Sequence, residues 1–269
     1  MAREKDPGRA FAEDRRGAIL DMLDRTASVQ VADLAKMFGV STVTVRSDLD
    51  ALERDGKLRR THGGAVSLHK RLTVSVQDKR VNVNAAAKQA IAREAIGLVE
   101  DGDSLLVDSG TTALEFVRML DLRRDITVIT ADITIADYID ESLPGVDAIL
   151  LGGALRKGHR YLYGPLTIAG LEMLRPDKAF LCPISIVPGR GLMTNYEQMA
   201  EVKTAFVHAA RTRYVLADAQ KVGASGLIRF ASLTDFEAIV VDRDPDGQIG
   251  GAVAALPEGS PRPRLILAP

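Results

Sequence analysis

Asp108-Ser109-Gly110-Thr111-Thr112 places a carboxylate, three hydroxyls and a glycine in five consecutive positions, directly after the apolar run Ser104–Val107. A turn of this kind between a strand and a helix offers amides, hydroxyls and the positive end of a helix dipole to an anion, and a phosphate fits that chemistry. The same residues also make an ordinary capped turn, and the motif alone leaves both readings open. Lys203 and Lys221 are candidates to neutralise the same phosphate or to meet a sugar hydroxyl. Asp108 and Asp218 are candidate acceptors for sugar hydroxyls, and Asp218 is equally a cap for the turn that leads to Lys221. Thr130 and Gly152-Gly153 end two further apolar runs, where glycine lets a ligand approach the backbone closely. The single cysteine, Cys182, has nothing to pair with in a disulfide or at metal-ligand spacing, so neither a metal nor a cofactor is expected. It reads as a packing residue at a strand end rather than a reactive thiol.

A second set of residues suits duplex DNA. Ser41 can cap a helix in which Val45, Leu49 and Leu52 recur at i, i+4 and i+7. The opposite face carries Thr42, Thr44, Arg46, Ser47 and Asp48, short polar groups and one guanidinium that can meet base edges in a major groove. Alone, such a helix is as well explained as an amphipathic surface element. Its neighbours favour the other reading. From Gly56 to Gln77 the chain holds Lys57, Arg59, Arg60, Lys70 and Arg71 and no Asp or Glu, which is the charge pattern of a hairpin that grips phosphates. His62 belongs with this set, in a His62-Gly63-Gly64 turn that needs positive φ or close backbone approach. Two shorter helical patterns precede it, with Ile19, Leu20 and Leu23 in the first and Val31, Leu34, Ala35 and Phe38 in the second, and Gly39 makes the turn before the third. Three short helices and a hairpin describe a winged helix-turn-helix.

The rest of the chain must position the first set. Apolar runs at Ser104–Val107, Ile126–Ile129, Ala148–Leu151, Ala179–Cys182, Tyr214–Ala217 and Ala238–Val241 alternate with helical patterns at Thr112–Leu120, Ile133–Ile139 and Glu197–Ala210. An amphipathic helix from Ala85 to Val99 comes first. The fold class is therefore α/β, with helices on both faces of a parallel sheet and ligands at the carboxyl ends of its strands. The expected organisation is a DNA-binding domain at 12–68, a linker at 69–84, an α/β domain at 85–242 and a loosely ordered tail at 243–269, with at most one late strand.

Composition narrows the choice of partner. The 269 residues have a formal net charge of −1, so DNA contact must rest on a local patch rather than a global field. Aromatics make up 4% and Trp is absent, which argues against a single-strand binder built on stacking. No apolar run approaches a membrane span and the first sixteen residues hold no apolar leader core, so a cytoplasmic protein without a membrane partner is expected.

Ile19-Leu20, Leu34-Ala35, Val40-Ser41, Thr44-Val45-Arg46, Asp48-Leu49, Leu52-Glu53, Gly56 and His62-Gly63-Gly64-Ala65 together resemble the DNA-binding domain of DeoR-family transcriptional regulators. Asp108 to Thr112, Val128-Ile129-Thr130, Leu151-Gly152-Gly153, Gly164-Pro165, Asp177-Lys178-Ala179-Phe180, Lys203, Asp218 and Lys221 are similar to that family's effector domain, which is related in fold to ribose-5-phosphate isomerase and CoA transferases. The resemblance implies a repressor of a sugar or carbohydrate operon that senses a phosphorylated sugar or related metabolite. Three positions depart from the family pattern. Ser47 stands where a second arginine is common, Ala131 where Asn often follows Thr, and Cys182-Pro183-Ile184-Ser185-Ile186 where a loop with glycine and aspartate is usual. Two-fold operator sites imply a homodimer or higher homo-oligomer. The rival class is a sugar-phosphate isomerase or transferase with an accessory DNA-binding module, but the loop best placed to carry its carboxylate base has none.

Overall fold

A computed structural model describes residues 7–26, 28–61, 63–67 and 83–268. The chain divides into two compact units, Met1–Thr73 and Val74–Pro269. The expected linker lies outside the described residues, apart from positions 83 and 84.

The first unit runs α1 (Pro7–Thr26), β1 (Ser28–Gln30), α2 (Val31–Phe38), α3 (Thr42–Arg54), β2 (Leu58–Thr61) and β3 (Gly64–Ser67). α2 stops at Gly39, whose φ of 64° is the left-handed conformation that closes helices. α3 starts at Ser41, whose hydroxyl accepts from the Thr44 amide at 3.1 Å, as the sequence suggests. Val45, Leu49 and Leu52 are buried with Ile19, Leu23 and Leu34 in one small core. Each leucine there contributes roughly 1.5–3 kcal/mol by leaving water. β2 and β3 form an antiparallel hairpin with Thr61 opposite Gly64, and β1 pairs with the other edge of β3. A Cβ on Gly64 would lie 1.8 Å from the Val29 carbonyl oxygen, so the expected need for close backbone approach is met there. Asp48, expected on the polar face of α3, instead lies buried between Arg15 and Arg16, accepting from their Nε atoms at 2.6 and 3.0 Å. It fastens α3 to α1 and does not face outward.

The second unit holds α4 (Ala85–Ala95), β4 (Ser104–Val107), α5 (Thr111–Val117), β5 (Ile126–Thr130), α6 (Ile133–Ser142), β6 (Val146–Leu150), β7 (Ala154–Arg156), β8 (Tyr161–Tyr163), α7 (Pro165–Glu172), β9 (Lys178–Leu181), β10 (Ser185–Val187), β11 (Gly191–Thr194), α8 (Glu197–Ala209), β12 (Thr212–Ala217), β13 (Ile228–Ala231), β14 (Ala238–Val241), α9 (Gln248–Ala254) and β15 (Arg264–Leu267). Seven strands form a parallel sheet in the order β15-β14-β12-β9-β4-β5-β6. Side chains alternate across it. Leu105 and Val107 join the core under α4, α5 and α6, whereas Leu106 joins the core under α7, α8 and α9. A hairpin, β7–β8, and a three-stranded antiparallel sheet, β10-β11-β13, complete the unit.

The tail departs from the loose order expected of it. Asp244 accepts from the amides of Ile249 and Gly250 and so starts α9, and Ile249 is fully buried. β15 then pairs with β14, Leu267 beside Val241. The prolines that suggest disorder, Pro261 and Pro263, precede an edge strand, where a missing amide costs little.

Candidate functional site

From β4 the sheet grows one way through β5 and β6 and the other way through β9, β12, β14 and β15, so strand order reverses between β4 and β9. Connections leave in opposite directions at such a point, and a crevice opens at the carboxyl ends of the strands. A cavity of about 460 Å³ occupies it. Ser109, Gly110 and Thr111 line it after β4, Cys182, Pro183 and Ile184 after β9, and Asp218, Gln220 and Lys221 after β12. Asn84 and Lys88 from the start of α4, Arg156, His159 and Tyr161 from the β7–β8 hairpin, and Asn195, Tyr196 and Met199 around the start of α8 close the walls. The volume suits a small metabolite.

The structure separates the sequence candidates into two groups. Ser109, Gly110, Thr111 and Lys221 meet the cavity. Asp108 and Lys203 do not line it. Both are buried; the Asp108 carboxylate accepts from the amides of Ser109 and Cys182, each at 2.8 Å, and from the Lys203 ammonium. Lys203 also donates to the Cys182 carbonyl at 2.9 Å. The pair joins the ends of β4 and β9 beneath the cavity floor, and neither charge is left for a ligand. Thr112, in the first turn of α5, is buried. Thr130 donates to the Val107 carbonyl and accepts from the Asp132 amide, so its hydroxyl ties β5 to β4. The Gly152 carbonyl accepts from the Thr167 hydroxyl. Gly153, at φ 146°, has no room for a Cβ, which would meet Thr167 Oγ1 at 2.2 Å. At Gly153 it is the protein's own chain that comes close, whereas nothing lies within 4 Å of where a Cβ on Gly152 would be. Asp218 fits both of its readings: it lines the cavity, and its Oδ1 caps the turn to Lys221 by accepting from the Gln220 amide at 3.1 Å.

In the first unit Ser41, Thr42, Arg46 and Ser47 are exposed on α3, and Lys57 and Arg59 on the hairpin region. Thr44 is half-buried, with its hydroxyl 2.9 Å from that of Ser41, so these two are engaged in capping. Arg60 is less available than its sequence neighbours. Its guanidinium donates to the Arg46 carbonyl at 3.1 Å and to Asp50 at 2.8 Å, and its amide donates to Glu53 at 2.7 Å. It braces β2 against α3. Val43, 70% exposed in the first turn of α3, was not singled out by sequence, because an isolated valine among polar residues carries no periodic signal. His62, Lys70 and Arg71 lie outside the described residues.

Two family models match the chain along its length: the DeoR-like helix-turn-helix domain over residues 15–71 and the DeoR C terminal sensor domain over residues 83–243. The chain belongs to the DeoR family. It is 33% identical over 232 residues, 85% of this chain and 86% of the other, to a putative aga operon transcriptional repressor of Escherichia coli O157:H7. It is 31% identical over 236 residues, 88% of this chain and 90% of the other, to the HTH-type transcriptional repressor GlcR of Bacillus subtilis (strain 168). Among solved structures it is similar to ribose 5-phosphate isomerase A of Methanocaldococcus jannaschii, with a TM-score of 0.39, 19% identity and coverage of 52% of this chain and 55% of that one. Among the described residues no helix is long and apolar enough to cross a membrane, and no cluster of His, Cys, Asp and Glu is arranged to hold a metal.

One wall of the cavity is apolar. Burial pushes the Cys182 thiol up to about 11, against the pull of Lys221, so it is a neutral surface. Pro183 and Ile184 continue that apolar stretch, and the Ile184 amide donates to Met193 and pins the loop to β11. Polar groups come from other lining positions, among them Arg156 and Tyr161, which were not sequence candidates. The Arg156 guanidinium stacks 3.8 Å over the Tyr196 ring and donates to the Tyr161 hydroxyl at 3.4 Å. Burial pushes the Tyr161 phenol up to about 12 despite that guanidinium, so it remains a donor. Lys88 donates to the Val83 carbonyl at 2.5 Å. Arg156 and Tyr161 sit on strands of three residues, too short for periodicity to register.

Proposed function

We propose that this DeoR-family protein is a transcriptional repressor of a carbohydrate-metabolism operon. It binds double-stranded operator DNA through α3 and the β2–β3 hairpin, and it leaves the operator when a phosphorylated sugar or related metabolite fills the cavity. The observation that carries the effector half is the meeting of Ser109, Gly110, Thr111 and Lys221 at the strand-order reversal: hydroxyls and an ammonium for a phosphate, with Asn84, Asn195, Gln220 and Asp218 placed for sugar hydroxyls. The matching helix-turn-helix family model and the exposed Arg46, Lys57 and Arg59 support the DNA half. Release is linkage: the ligand shifts the protein off DNA only by binding the DNA-free form more tightly.

The enzyme reading has less support. Isomerisation needs a carboxylate base at the substrate carbon. Asp218 is the one carboxylate among the lining residues, and it is engaged in capping, while Asp108 is consumed by Lys203 and two amides. Thermal unfolding against a panel of pentose and hexose phosphates tests the effector half, because a ligand at a hundred times its Kd adds about 2.7 kcal/mol to the native state. The proposal expects at least one phosphorylated sugar to raise Tm while its unphosphorylated parent does not. Turnover of any panel member to its isomer would favour the enzyme instead.

A further inference from the structure

The walls of the cavity differ in what they offer a ligand. Ser109, Thr111 and Lys221 present hydroxyls and an ammonium at the phosphate end, and Asn84, Asn195 and Gln220 carry amides that both donate and accept. Cys182, Pro183, Ile184 and Met199 form a stretch of wall whose side chains hold no hydroxyl, amide or charge. The two kinds of surface adjoin, since a Cβ on Gly110 would lie 3.8 Å from Cβ of Cys182. One small ligand therefore touches both.

The backbone of the apolar stretch has no amide to spare either. The Cys182 amide donates to Asp108 at 2.8 Å, the Ile184 amide donates to the Met193 carbonyl at 3.0 Å, and Pro183 has no N–H. The Cys182 carbonyl accepts from Lys203 at 2.9 Å, and the Met199 sulfur accepts from the Thr194 hydroxyl at 3.6 Å. The Ala113 amide donates to the Cys182 sulfur. A ligand hydroxyl laid on this wall gives up water and meets no amide, only the weak S–H of Cys182, whereas a CH₂ or CH₃ gains by leaving water.

We propose that the effector is a phosphorylated sugar with an apolar group in place of one hydroxyl, a deoxy carbon or an acyl methyl, which lies on Cys182, Pro183, Ile184 and Met199. This rests on the sugar-phosphate reading of the cavity and adds to it the feature by which one phosphorylated sugar is chosen over another. The choice has a bounded strength, because an apolar pocket rejects an added hydroxyl by about a hundredfold at most. It also has a direction that differs around the ring. Removing the hydroxyl that faces the apolar wall tightens binding, while removing one that meets Asn84, Asn195 or Gln220 leaves a polar group unpaired and weakens it.

Calorimetric titration of the full chain decides the matter. The probes are ribose 5-phosphate and glucose 6-phosphate, the singly deoxygenated forms of each, and glucosamine 6-phosphate with and without an N-acetyl group. The expected result is one deoxy form, or the acetylated one, that binds about 10- to 100-fold more tightly than its parent, the other deoxy forms binding more weakly. Which arm responds tells a missing hydroxyl from an acyl methyl. Ile184→Thr and Cys182→Ser each place a hydroxyl on the wall, and in them the preference is lost because the parent binds more tightly; Tm of each variant verifies its fold, and the wild-type series stands without them. Parents that bind at least as tightly as every deoxy and acetylated form overturn the inference and leave the sugar-phosphate reading in place. So does a preference undiminished in two folded variants. If no phosphorylated sugar binds at all, the sugar-phosphate reading itself fails, and this inference with it.

Discussion

Removing the Lys203 ammonium tests whether this residue is structural or a ligand group. The side chains of Lys203 and Asp108 are 1% and 4% exposed, and with Lys203→Met the carboxylate stays buried with its two amide donors but without a counter-charge. Breaking a buried pair from one side costs about 3–5 kcal/mol, a large part of the roughly 5–15 kcal/mol that holds a domain together. Adding Asp108→Asn removes the stranded charge, so the double variant should recover much of the loss, and the coupling should exceed about 1 kcal/mol. The protein carries its own reporter for the affected unit. It has no Trp, and its five tyrosines, Tyr138, Tyr161, Tyr163, Tyr196 and Tyr214, all lie in the second unit, so tyrosine fluorescence during urea unfolding follows that unit alone. A Lys203→Met protein that unfolds within about 1 kcal/mol of the wild type yet no longer responds to any sugar phosphate would refute the reasoning. It would return Lys203 to the ligand.

Other consequences follow from the same geometry. With its pKa near 11, Cys182 holds only about one thiolate in a thousand at pH 8, so native protein should resist iodoacetamide and react once unfolded; rapid native labelling, followed by mass spectrometry, would contradict this. Lys57→Ala and Arg59→Ala should each lower the salt dependence of duplex binding by roughly one unit at unchanged stability, whereas Arg60→Ala should also lower the Tm of the first unit, because Arg60 holds Asp50 and the Arg46 carbonyl. Anisotropy titrations at several salt concentrations check this, and identical behaviour of all three would count against the bracing role. Hydrogen bonds from the Ser104 hydroxyl and amide hold the Asp177 carboxyl below its ordinary 3.8. A carboxylate lowered in the fold stabilises above its unfolded pKa and loses that contribution as pH falls through the folded value. Asp177→Asn should therefore flatten the fall of Tm below about pH 4, and an unaltered acid limb would speak against it.

Much of this was legible in the sequence, for identifiable reasons. Strands such as Ser104–Val107 and Ala238–Val241 stand out because both faces are covered, so apolar residues run unbroken. Ser41 and the Val45-Leu49-Leu52 spacing reveal α3 because its cap and its core face are both local. Residues acting through distant contacts do not announce themselves. Lys203 and Lys221 look alike in sequence, and only a partner 95 positions away, Asp108, makes one a buried strut while the other faces the cavity. Asp48 likewise reads as polar surface until Arg15 and Arg16 arrive from α1. Arg156 and Tyr161 become wall residues because a short hairpin folds over the strand ends, which no local period encodes.

Release of DNA by a phosphorylated ligand is the measurement closest to the central claim. A duplex selected from a random pool by the full chain would be labelled and held at half-saturation, then titrated with each sugar phosphate and its unphosphorylated parent, with wild type and Lys221→Ala in parallel. The account predicts that a phosphorylated sugar releases wild type from the duplex, that its parent sugar does not, and that Lys221→Ala binds the duplex with wild-type affinity but is not released. Failure of the chain to select any duplex would contradict it, as would release of Lys221→Ala at the same concentration as wild type.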